Sequence, residues 1–105
     1  MARNPFDQAA RIRRVGELLD WATCELEKAP LHYGHGTAGP RDDAAALVFH
    51  ALRLRHDSAP ASYRRVVPAG GAMRAAALVR RRIVERVPSA YLTGVTWFAG
   101  HEIRV

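Results

Sequence analysis

Apolar side chains recur at alternating steps of three and four in the first part of the chain. Ile12, Val15, Leu19, Ala22 and Leu26 fall on one stripe, which predicts an amphipathic helix over residues 7–28. Asn4-Pro5 or Asp7 can begin it, because Asn and Asp side chains cap free amides and proline is tolerated in a first turn. Arg13 and Glu17 stand one turn apart for an ion pair, and Pro30 closes the segment. Residues 31–40 (Leu-His-Tyr-Gly-His-Gly-Thr-Ala-Gly-Pro) read as a loop. A second helix starts near Pro40, with Asp42 and Asp43 in a first turn that favours negative charge. Ala44, Leu47, Val48, Ala51 and Leu52 form its buried face, and His50 lies half-buried beside it. Pro60 and Pro68 leave room for a short turn around Ser62 to Val66.

A third long helix is predicted over residues 70–87. Met73, Ala76, Ala77, Ile83, Val84 and Val87 line one side, and Arg74, Arg81, Arg82 and Arg86 share the other with Glu85. Pro88 opens a short turn from Ser89 to Thr93. The period then changes: Val95-Thr96-Trp97-Phe98, Ala99-Gly100 and His101-Glu102-Ile103-Arg104-Val105 read as a β-hairpin with a two-residue turn. On such a strand Trp97 and Phe98 point to opposite sides. The expected fold is mainly α: a small bundle of three main helices with one or two short ones, ending in a partial β-hairpin. A chain that stops inside a hairpin looks cut from something longer, and an exposed strand edge makes a dimer of this piece plausible.

The length of 105 residues, 49% apolar and 25% charged, fits one domain with one modest core. No apolar run reaches the ~18 residues of a membrane span, and the charged N-terminus does not resemble a signal peptide. Cys24 is the only cysteine, which excludes a disulfide scaffold and a thiolate zinc site and makes the cytoplasm the expected setting. The net charge of +6 arises entirely after residue 40, where eleven arginines face five acids. An arginine-rich genome would produce this bias, and so would a basic face for RNA or another polyanion.

Few residues carry recognisable chemistry. Gly34-His35-Gly36-Thr37-Ala38-Gly39 has the spacing G-x-G-x-x-G, but no strand precedes it and no βαβ unit surrounds it, so it is not a dinucleotide site. His32 and His35 supply half of a tetrahedral metal site with no obvious completion in the loop, and no metal is assigned. Cys24 lies mid-helix without a neighbouring base, and no catalytic residue is identified. The cluster of Arg74, Arg80, Arg81, Arg82 and Arg86 is either a binding ridge, since guanidinium forks match phosphate and carboxylate, or a solvated helix face.

Taken together, Gly34-His35-Gly36-Thr37, Asp42-Asp43-Ala44, Arg86-Val87-Pro88-Ser89-Ala90-Tyr91-Leu92-Thr93-Gly94 and Trp97-Phe98-Ala99-Gly100 resemble the N-terminal region of HemK/PrmB-type protein-glutamine N5-methyltransferases. The Gly-His-Gly-Thr loop and the Tyr-Leu-Thr-Gly…Trp-Phe-Ala-Gly run resemble the branch that modifies a large-subunit ribosomal protein. The resemblance covers nearly the whole chain and departs from the family at Asp43, Val95-Thr96 and His101-Glu102. It implies a helical substrate-recognition domain over residues 1–94 and, over 95–105, the start of a hairpin linker to a catalytic domain. That catalytic domain, with its S-adenosylmethionine-binding glycine loop and Asn-Pro-Pro-Tyr motif, is missing from this sequence. The chain alone is therefore expected to bind no cofactor and transfer no methyl group.

The expected partners are a ribosomal protein, or a ribosomal precursor with its rRNA, and the protein's own catalytic domain. The candidate contacts are His32, Gly34, His35, Gly36, Thr37, Arg74, Arg81, Arg82 and Arg86. Tyr91, Leu92, Thr93, Gly94, Trp97, Phe98 and Gly100 are read as linker or structural motif. The competing reading is a stand-alone basic helical module that binds nucleic acid or acts as an adaptor.

Overall fold

A computed structural model describes residues 5–31, 39–55, 60–98 and 101–104. The elements run α1 (Pro5–Gln8), a 3₁₀ turn (Ala9–Arg11), α2 (Val15–Lys28), α3 (Pro40–Leu52), α4 (Pro60–Tyr63), α5 (Gly71–Val84), α6 (Ser89–Thr93), β1 (Val95–Phe98) and β2 (His101–Arg104). The mainly helical class matches the expectation from the apolar periodicity.

The first helix does not run unbroken from residue 7. Ile12 and Arg14 are extended, with ψ of 129° and 144°. Their segment finds a tertiary partner: Val15 N–H donates to the Arg65 carbonyl at 3.0 Å, and Val67 N–H donates to the Arg13 carbonyl at 2.7 Å. This antiparallel bridge satisfies backbone groups that a continuous helix would have satisfied internally. It also removes Arg13 from the helical register that would have paired it with Glu17. Where α2 begins, Gly16 passes so close to Tyr63 that a Cβ there would lie 3.1 Å from the Tyr63 Cβ and carbonyl oxygen.

α3 is the central helix. Pro40 opens it, Asp42 and Asp43 sit in its first turn, and Asp43, Ala44, Ala45, Leu47, Val48, Phe49, Ala51 and Leu52 are all buried. Burial on more than one face follows from its place between α2, which contributes Val15, Leu18, Leu19, Ala22 and Leu26, and α5. Each fully buried Leu or Val contributes about 1.5–3 kcal/mol from removal of apolar surface from water. His50, expected half-buried, is exposed on the remaining side.

The buried face of α5 differs from the expected one. Gly71, Ala72, Ala75, Ala76, Val79 and Arg82 face inward, while Met73 and Val84 are 58% and 62% exposed. The inward stripe is mostly alanine, so α5 can lie close to α3. α5 ends at Val84, three residues before the expected end, and Arg86 takes the left-handed conformation with φ 58°. α6 then spans the expected Ser89–Thr93. Gly94, with φ 74°, turns the chain into β1, a conformation that suits glycine. β1 and β2 pair antiparallel with Val95 opposite Arg104 and Phe98 opposite His101. Their connection, Ala99-Gly100, lies outside the described residues.

Candidate functional site

The arginines expected to form one ridge on α5 have separate structural roles. Arg82 is 4% exposed, and its Nε donates to Oδ2 of Asp43 at 2.7 Å. It is a buried tie between α5 and α3, not a surface contact; a guanidinium can be buried there because a carboxylate meets it. Arg74 is half-buried; its Nε donates to the Ala51 carbonyl at 2.9 Å. Ala51 lies in the last turn of α3, where carbonyls lack intrahelical partners, so Arg74 caps that helix. Arg86 has left the helix, and its Nη1 donates to the Pro30 carbonyl at 3.0 Å, holding the end of the α2 segment against the end of α5. Arg81 is exposed and pairs with Glu85 one turn away at 3.4 Å. The periodicity that placed these side chains on one solvent face could not register that Asp43, Ala51 and Pro30 would come to meet three of them.

His32, Gly34, His35, Gly36 and Thr37 lie outside the described residues, as does Gly100. Of the later motif, Tyr91 is 66% exposed, Leu92 packs against the core and Gly94 makes the left-handed turn. Trp97 and Phe98 lie on β1, opposite Glu102 and His101. Cys24 is exposed. Among the described residues no group of three or more His, Cys, Asp or Glu side chains could hold a metal ion, and no helix is long and apolar enough to cross a membrane.

A different arginine cluster is assembled by the fold. The bridge between residues 13–15 and 65–67 sets Arg13-Arg14 beside Arg64-Arg65, and all four are exposed. Arg14 Nη1 donates to the Arg64 carbonyl at 3.2 Å. Arg14, Gly16, Glu17, Tyr63 and Arg64 line an open groove at this point. Two Arg-Arg dipeptides were the only sequence signal for it. Nothing in the pattern between them said that they meet.

Residues 17–94 match the family described as the PrmC N-terminal domain. The chain belongs to that family. Curated relatives named ribosomal protein uL3 glutamine methyltransferase include that of Xanthomonas campestris, 39% identical over 92 residues. That of Bordetella pertussis is 37% identical over 95 residues, and that of Neisseria meningitidis 36% over 94. These matches cover 88%, 90% and 88% of this chain, but 30%, 32% and 31% of the relatives. The chain thus spans about a third of the length of the curated relatives it matches. No solved structure gives a significant match. Membership in the PrmC N-terminal domain family agrees with the resemblance carried by the Asp42-Asp43-Ala44 and Tyr91-to-Gly94 motifs, both of which fall inside the matched residues.

Proposed function

We propose that this chain is the helical substrate-recognition domain of a protein-glutamine N5-methyltransferase that acts on large-subunit ribosomal protein uL3 in the cytoplasm. The observation that carries the reading is the agreement of relatives from three genera, each named for that activity, across almost the whole chain. The methyl donor of the whole protein would be S-adenosylmethionine. The open groove at Arg14 and Arg64 does not suit it, because arginine guanidiniums repel the positive sulfonium. No step of methyl transfer is therefore assigned to residues of this chain, and the chemistry belongs to the rest of the protein.

In this reading the three-helix core is a rigid platform. Arg81, Arg86, the exposed Tyr91 and the 32–37 loop are the contacts that hold the substrate protein. Arg74 and Arg82 support the platform from inside. A second copy joining along the β1–β2 pair is a separate proposal that sedimentation of the chain tests directly.

The deciding experiment incubates the full-length protein with S-adenosylmethionine and purified uL3, and follows methyl incorporation into glutamine. Transfer to uL3, with Arg81→Glu raising KM and leaving kcat in place, is the expected result. Absence of transfer to uL3 rejects the substrate, and an unchanged KM in the variant rejects the contact.

A further inference from the structure

We infer that the arginine cluster built by the Arg14–Val66 bridge binds the phosphodiester backbone of a nucleic acid. The inference concerns residues on other elements than Arg81 and Arg86 and goes beyond the methyltransferase reading.

Arg13 and Arg14 come from the extended segment before α2, and Arg64 and Arg65 from the segment after α4. Two backbone hydrogen bonds, of 3.0 and 2.7 Å, fix these segments side by side. The four cationic side chains therefore extend from a backbone that is already ordered, which lowers the entropy lost on binding. Arg14 spends one donor on the Arg64 carbonyl and keeps the rest of its fork. α2, of 14 residues, starts at this point, and its dipole adds positive potential. Arg14 and Arg64 outnumber Glu17 among the groove-lining residues, and Arg13 and Arg65 lie next to them in the chain, so the local balance is positive.

The shape favours a chain of phosphates over other anions. The surface there is open and not enclosed, so it does not cage a single small anion. Guanidinium forks match phosphate oxygens, and both Arg14 and Arg64 line the groove. An acidic peptide would need an apolar anchor site for comparable affinity. The exposed apolar side chain beside the cluster is Val66, 62% exposed opposite Arg14, and a single valine is a small anchor.

The test measures fluorescence anisotropy of a labelled RNA duplex, a DNA duplex of the same sequence and labelled polyglutamate with the full-length protein. Four phosphate contacts predict an affinity loss of about a hundredfold between about 50 and 200 mM salt. Arg13→Gln with Arg65→Gln leaves the Arg14–Arg64 bond in place. It should weaken duplex binding about tenfold or more and lower the salt slope by about two. Arg80→Gln, exposed on α5, should leave duplex binding unchanged. A preference for one duplex names the nucleic acid, and equal binding of both means that backbone charge alone is read; either supports the site. Polyglutamate bound as tightly as the duplexes, or duplex binding unmoved by the Arg13/Arg65 variant, overturns it. Because uL3 methylation is read separately, failure here does not touch the methyltransferase reading.

Discussion

Arg82, near the end of α5, donates through Nε to Oδ2 of Asp43 in the first turn of α3 at 2.7 Å, with their side chains 5% and 0% exposed. Burying two charges is costly, and mutual attraction offsets the cost only while both are present. The pair joins positions 39 residues apart in sequence and fixes how α5 lies against the central helix.

Removing one partner takes from the other its buried counter-charge. Asp43→Ala is expected to cost about 3–5 kcal/mol in urea unfolding. Asp43→Leu combined with Arg82→Met should cost less than Asp43→Leu alone, because no uncompensated charge remains. A loss below about 1 kcal/mol for Asp43→Ala would show that the pair does not hold the two helices.

Gly71 opens α5 against a tight wall: an added Cβ would stand 2.5 Å from Leu52 Cδ2 and 3.1 Å from Val67 Cγ1. Alanine normally stabilises a helix relative to glycine by about 0.5–1 kcal/mol. At this position the clash reverses the sign, and Gly71→Ala should lower stability by about 1–3 kcal/mol. An increase in melting temperature would mean that Leu52 moves aside without loss.

α3 ends on Arg53, which is left-handed with φ 58°; Arg53 N–H bonds to His50 and Leu54 N–H to the Phe49 carbonyl at 3.0 Å. That is the helix stop glycine usually occupies. Arg53→Gly relieves the side-chain penalty and should stabilise the domain by about 0.5–1 kcal/mol, net of glycine's greater entropy loss. Differential scanning calorimetry reads the change, and destabilisation would show that the Arg53 side chain contributes packing of its own.

Arg41 Nη1 meets Asp20 Oδ1 at 2.6 Å, but both side chains are largely in water. Despite its short distance this link between α3 and α2 should contribute little. Arg41→Ala is expected to change stability by less than about 1 kcal/mol, and the difference should shrink further in 1 M salt. A larger, salt-independent loss would contradict that view.

Much of the fold was legible because apolar spacing at three and four marks a buried stripe wherever the residues are large. Val15, Leu19, Ala22 and Leu26 placed α2, and Leu47, Val48 and Leu52 placed α3. The stripe on α5 differs from the expected one because its apolar positions are mainly alanines. Ala72, Ala75, Ala76 and Ala77 fit several faces equally well, and the larger Met73 and Val84 weight the pattern toward the face that is exposed. A local pattern also assigns any arginine to water, whereas Arg82 is buried against Asp43.

By itself the sequence determined the helical class, the positions of the main helices and of the short helix after Pro88, and the motifs that resemble the family. Each of these depends on residues within a turn or two of one another, or on their order along the chain. Tertiary structure alone decided which arginines are structural and which remain available. Arg82 is buried because Asp43 arrives from another helix, and Arg74 is a cap because the end of α3 lies beside it. Residues 12–14 are extended because the segment around Val66 supplies hydrogen bonds that a local helix would otherwise have made, and that same pairing gathers Arg13, Arg14, Arg64 and Arg65. Charge and hydrogen bonding act through space, and partners some 40 to 50 residues apart are invisible to a periodicity measured over one helix.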